Sequence, residues 1–420
     1  MKAAGSTEKG AAEVGGEAEN NAMKEAVRMM RTVRRLWPAA LAPVLLLALA
    51  LSACAGGGAG GGAGGPGAAG PSGAAAIGGG NADSGGAGGD GSGRDVGGGG
   101  RPARGDGKIK IGLSMDTLQE ERWQKDRDFF RAAGEAMGAE VIVAMANGDD
   151  AKQIEQAETM INEGVDILVV VPHNAEATAT IVKKAHTAGI KVLSYDRLIK
   201  NSDVDLYVSF DNEMVGVLQA RAITRLVPKG KYVYIGGADT DNNAHLFKQG
   251  VFDVIQPLID NGDITVVYDQ WSKDWKPANA LANMREALKA NGGKIDAVIA
   301  ANDATAGGAV QALAEYGLAG RIPVAGMDAD LAAAQRIVEG TQTMTVYKPI
   351  KLLADQAAEL AVKLARGEPI NADRKVNNGK IEVPSVLLTP IEVDRSNLDA
   401  TIIADGFHSR DDVYRTVRHP

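Results

Sequence analysis

The sequence predicts two α/β lobes, each a doubly wound parallel sheet, behind a signal peptide and an unfolded linker. Three observations predict it. Runs such as Val165–Val171 stay apolar with almost no alternation, so both faces of those strands are buried, as in a parallel sheet covered by helices on each side. Between such runs lie stretches with apolar residues at helical spacing. The alternation starts at Lys108 and begins again after Asp211-Asn212, which makes two units of similar size.

In the first unit the strands fall at Ile109–Met115, Val141–Ala146, Ile167–Pro172, Ile190–Tyr195 and Leu206–Phe210. Asp150–Glu163 and Asn174–Ala188 are the crossover helices, the second opening on Asn174 as N-cap. In the second unit the strands are Tyr232–Ile235, Thr265–Tyr268, Ala297–Ala300 and Val324–Gly326. Helices between them are drawn at Met214–Leu226, Ala244–Ile259, Pro277–Ala290 and Ala304–Tyr316. A further strand, Thr341–Val346, a helix, Pro349–Leu364, and proline-interrupted strand material at Ile381–Leu388 complete the chain.

The 420 residues leave room for two or three domains. Of the 53 glycines, 26 fall in residues 56–107, a segment with too little apolar surface to offset chain entropy. Residues 54–107 are therefore expected to be a disordered linker, and residues 1–53 a leader. That leader has a basic region with Arg28, Arg31, Arg34 and Arg35, then an apolar run from Pro38 to Ala53. The run is shorter than the ~20 residues of a membrane-spanning helix. It ends Leu51-Ser52-Ala53-Cys54, which resembles the lipobox of bacterial lipoproteins. Cys54 is the only cysteine, so lipidation and cleavage before it are expected, and a disulfide framework is excluded. The leader holds seven bases and five acids, so its removal takes the net charge from −8 to about −10. Acyl chains rather than a basic surface would then hold the protein to the membrane, and a nucleic-acid partner is excluded for want of a basic face.

In open parallel sheets, ligands bind beyond the C-terminal ends of the strands. There the sequence places Asp116 and Glu121–Lys125, then Asp196-Arg197, then Asp239–Asn243, Trp271 and Trp275, Asn302-Asp303, Asp328 and Lys348. Carboxylates, amides and guanidinium groups satisfy the paired donor and acceptor character of sugar hydroxyls. An indole covers the apolar face of a pyranose ring. A single Asp or Asn after a strand also serves as a cap or turn former, and Trp271 reads as ordinary packing between helices. Asp239, Asp241 and Asn243 open like a calcium loop, but Ala244 and Gly250 stand where that loop needs glycine and glutamate. The histidines at 173, 186, 245, 408 and 419 show no metal-binding pairing, and no nucleotide motif appears in the folded part. No cofactor and no metal are expected. Asp239 and Asp241 could serve glycoside hydrolysis, yet the clusters are spread over both units as if to saturate a ligand, so no catalytic residue is assigned and no enzyme is expected. A transcription repressor of this fold would start with a helix-turn-helix, not an export signal.

The chain resembles the xylose branch of the type I periplasmic sugar-binding proteins of ABC importers. The likeness is carried by Lys108–Asp116, Glu121–Asp128, Tyr195–Arg197, Ser209–Glu213, Asp241–Ala244, Asn302–Gly308, Asp328–Asp330, Gly340–Pro349 and Asp405–His408. It implies two lobes joined by a three-segment hinge, with residues 108–211 and 346–378 in the first, 212–345 and 379–410 in the second, and 411–420 as a tail. The resemblance puts the sugar contacts on Arg122, Asp196 and Arg197 from the first lobe, Asp241, Asn243, Trp275, Asn302 and Asp328 from the second, and Lys348 from the hinge. Trp275 would stack on the sugar. Its implied partners are D-xylose or a similar monosaccharide, an ABC permease and its ATPase, and the membrane through Cys54, with the protein a monomer outside the cytoplasm. Ribose, glucose or arabinose as ligand, or a sensory role, stays open, because His173 stands where the pattern has tyrosine and would bear on preference if it faced the cleft.

Overall fold

The computed structural model describes residues 107–417; the leader, Cys54 and nearly all of the glycine-rich linker lie outside the described residues.

The first sheet is built by β1 (Lys110–Met115), β2 (Glu140–Met145), β3 (Ile167–Val170), β4 (Lys191–Tyr195) and β5 (Leu206–Phe210), interleaved with α1 (Glu121–Ala136), α2 (Asp150–Asn162) and α3 (Ala179–Thr187). These strands are all parallel. Every residue of β3 is buried, because helices cover both faces of the sheet and neither face is left for polar residues. α2 starts on Asp149, whose side chain accepts from Lys152 N at 3.0 Å. Asn174 also accepts from two backbone N–H groups, of Glu176 and Ala177, but these close a turn, and α3 begins only at Ala179.

The second sheet uses β6 (Gly230–Ile235), β7 (Ile264–Gln270), β8 (Ala297–Ala300), β9 (Val324–Met327) and β10 (Met344–Tyr347), with α4 (Asn212–Leu226), α5 (Asn242–Asp260), α6 (Pro277–Ala290), α7 (Asp303–Glu315) and α8 (Leu331–Glu339). α4 and α5 meet backbone to backbone through two glycines. A Cβ on Gly216 would lie 2.0 Å from Phe247 O, and one on Gly250 would lie 2.0 Å from Glu213 O. That contact fixes α5, and with it the residues at its N-terminal end.

The chain then returns through α9 (Ile350–Arg366), whose buried face (Leu353, Ala354, Ala357, Ala358 and Ala361) belongs to the core of the first lobe. β11 (Arg374–Asn377) and β12 (Glu382–Leu388) extend the first sheet beside β5, while β13 (Ile391–Asp394) pairs antiparallel with β10 in the second. The strand orders are β11-β12-β5-β4-β3-β1-β2 and β13-β10-β9-β8-β6-β7. A last short helix, α10 (Arg410–Val413), packs with Leu398 and Ile402 onto the second lobe.

Crossings between the lobes therefore fall at Asp211, at Lys348-Pro349 and at Thr389-Pro390. Two of the expected boundaries need correction. Val346 and Tyr347 stay in the second sheet, and residues 379–388 belong to the first lobe. Pro384 pairs only with Lys375 of β11, one residue before Ser385 begins the ladder with β5. A missing N–H is tolerated there, so the proline interrupts nothing.

Candidate functional site

The two sheets turn their C-terminal ends toward each other around a cavity of about 20 Å³. Every residue that the resemblance implied as a sugar contact lines it. From the first lobe come Arg122 on α1 and Asp196-Arg197 directly after β4. The second lobe contributes Asp241 and Asn243 at the start of α5, Trp275 before α6, Asn302 before α7 and Asp328 after β9. Lys348 stands in the middle crossing.

The local backbone is shaped to present them. Asp196 (φ 59°), Trp275 (φ 57°) and Asp328 (φ 91°) all lie in the left-handed region, which non-glycine residues occupy only when the surroundings hold them there. At Asp196 the holding groups are visible: its carbonyl accepts from Ser209 Oγ at 2.5 Å, Tyr207 OH at 3.0 Å and Asn243 Nδ2 at 3.1 Å. The Trp275 indole rests against Gly237, where a Cβ would lie 2.1 Å from the ring. Its Nε1 donates to Asp241 Oδ2 at 3.1 Å. Asn302 spends Oδ1 on the cap of α7, accepting from Thr305 N at 2.9 Å, so Nδ2 is the polar group it has left for the cavity.

Charge is arranged as alternating cations and carboxylates. Arg122 reaches Asp126 at 3.0 Å, Asp196 at 2.9 Å and, across the lobes, Asp328 at 3.4 Å. Arg197 reaches Asp116 at 2.8 Å and, across the lobes, Asp241 at 2.7 Å. Lys348 Nζ lies 3.0 Å from Asp328 and 4.0 Å from Asp196. Trp123 lies beneath both guanidinium groups, 4.2 Å from Arg122 and 5.0 Å from Arg197. Burial works against ionisation of Asp196, but Arg122 and Lys348 outweigh it and hold its pKa below the ordinary value. For Asp241 burial wins over Arg197, and the pKa is raised. Both arginines are held cationic by their carboxylates despite burial.

Glu120, Phe247 and Met327, not assigned as sugar contacts, line the same cavity. His173 does not line it. Its Nδ1 lies 2.9 Å from Asp116 Oδ1, so it braces the carboxylate behind Arg197. Trp271 packs against Gly236 and His245, away from the cavity, as its reading as a packing residue required. Asp239 is not on the cavity either; its carbonyl contacts the His245 ring at 2.8 Å. Among the described residues no cluster of metal-ligating side chains occurs.

Residues 111–369 match the model of the periplasmic binding protein domain. The chain belongs to this family. It is 55% identical to the D-xylose-binding periplasmic protein of Haemophilus influenzae over 306 residues, which are 73% of this chain and 92% of that one. Its identity to the Escherichia coli protein of the same name is 54%, over 73% of this chain and 93% of that one. Among solved structures it is similar to a carbohydrate transporter solute-binding protein from Chloroflexus aurantiacus in complex with D-glucose, with TM-score 0.69 and 32% identity over 73% of this chain and 98% of the other. An ABC transporter solute-binding protein from Clostridium phytofermentans with bound β-D-glucose gives TM-score 0.68 and 30% identity, over 72% and 99%. As a periplasmic binding protein, the chain has the two-lobed fold that its apolar runs predict, and its relatives are transport proteins, not enzymes.

Proposed function

We propose that this periplasmic binding protein captures D-xylose between its lobes and presents it to the permease of an ABC importer. The observation that carries the proposal is the cavity itself, where paired carboxylates and cations from both lobes stand around the indole of Trp275, with Trp123 beneath the two guanidinium groups. A neutral polyol suits such a wall, since each hydroxyl donates to Asp196, Asp241 or Asp328 and accepts from Arg122, Arg197, Lys348, Asn243 or Asn302. Trp275 covers a ring face. The charged pairs that span the lobes, Arg197 with Asp241 and Arg122 with Asp328, support capture by closure: ligand contacts to both lobes favour the closed form, whose joint surface the permease and its ATPase then engage. The relatives at 54–55% identity favour D-xylose. The glucose-bound structures favour an aldohexose as the second reading.

Thermal-shift screening of the purified protein against aldopentoses and aldohexoses decides between them. D-xylose should give the largest shift; ribose or glucose above it would overturn the ligand assignment. The protein works as a monomer. It is held on the outer face of the cell membrane by lipid on Cys54.

A further inference from the structure

We infer that Glu120 is a further ligand contact that sets sugar preference, its carboxyl taking a hydroxyl of the bound ligand. The inference rests on the sugar-binding reading above. Glu120 is 8% exposed and lines the cavity. It occupies the N-cap of α1 in an extended conformation (φ −79°, ψ 144°) yet makes no side-chain cap, because caps are made by the shorter Ser, Thr, Asp and Asn. Its side chain is left to the cavity wall instead. Oε2 is buried with no hydrogen-bond partner among the described residues, whereas Asp196, Asp241 and Asp328 each lie within 3.4 Å of a cation. Burial pushes the Glu120 pKa up against the pull of Arg197.

A buried carboxyl without a partner costs free energy unless something binds it. Within a cavity otherwise built for hydroxyls, the group that can do so is a hydroxyl. A ligand that lacks it leaves Oε2 unpaired and is discriminated against.

The test uses the full chain with Glu120→Leu and Glu120→Gln, titrated calorimetrically with D-xylose, D-glucose and their monodeoxy analogues, beside the melting temperature of each ligand-free protein. Glu120→Leu should weaken the preferred sugar at least tenfold while raising the ligand-free melting temperature, and Glu120→Gln should weaken it less. One deoxy analogue should lose its penalty in Glu120→Leu alone. A higher melting temperature with affinity unchanged within twofold in both variants, or deoxy penalties identical to wild type, would overturn the role of Glu120. A wild-type protein that binds none of these sugars would overturn the sugar-binding reading, and this inference with it.

Discussion

Arg197 Nε lies 2.7 Å from Asp241 Oδ2, an ion pair that ties one lobe to the other inside the cavity wall. Both side chains are at least 95% buried, so the pair is little screened by salt. Removing one member of a buried pair costs about 3–5 kcal/mol, chiefly by stranding the other charge, against about 1.4 kcal/mol for a tenfold change in affinity. Asp241→Asn and Arg197→Met should each weaken sugar binding more than tenfold, with the loss mainly in the dissociation rate. In the double variant the losses should fall well short of additive. Strict additivity in titration calorimetry would mean that the two side chains act separately on the ligand.

Trp275 combines three constraints: a left-handed backbone, an indole against Gly237 and a bond from Nε1 to Asp241. Trp275→Ala removes the stacking surface and one of the groups that orient Asp241. Affinity should fall at least tenfold while the far-ultraviolet circular dichroism stays that of wild type. Equal titrations for variant and wild type would show that the indole does not cover the ligand.

The sequence made the strands and the polar strand ends legible because both are short-range signals: a run buried on two faces, then a polar residue where the sheet stops. Phe247 and Glu120 were not legible as cavity residues, and the third crossing was expected but misplaced. Phe247 follows the same helical spacing as core residues of α5, and only the contact of Gly216 with its carbonyl decides which wall it joins. Glu120 differs from any surface glutamate solely by its burial in the cavity. The last crossing was misplaced because a strand read from sequence does not say which sheet it joins; only the pairing with β5 puts Glu382–Leu388 in the first lobe. α1 and α8 were not drawn, although Gly340 at the end of α8, in the left-handed region at φ 83°, is a C-terminal signal.

Cys54 and the residues before it lie outside the described residues, so the anchor is tested in the cell. Cys54→Ser removes the sulfur that lipidation requires. The variant should move from the membrane fraction to the soluble extracytoplasmic fraction, with sugar affinity unchanged because the cavity is built from Glu120 onward. Retention of the variant in the membrane fraction would reject the lipid anchor.

Asp330 carries the last prediction, a dependence of stability on pH. Burial raises its pKa well above the ordinary value, Asp303, Asp328 and Glu121 raise it further, and Arg336 opposes them. Burial likewise lifts Asp303 to about 7. An unfolded aspartate titrates near 3.9, so between about pH 4 and pH 7 the folded chain keeps protons that the unfolded chain has released. Stability must then fall as pH rises through that window. The same loop places Asp328 in the cavity with Asp328 and Ala329 both in left-handed conformations, so the site and the cost share one backbone segment. Asn at position 330 is a permanently neutral replacement and has no proton to lose. Asp330→Asn should match wild type in melting temperature at pH 4 and exceed it by about 2–4 °C at pH 8, as roughly 1 kcal/mol gives in a chain of this size. A gain of the same size at both pH values would place the effect in packing rather than in ionisation.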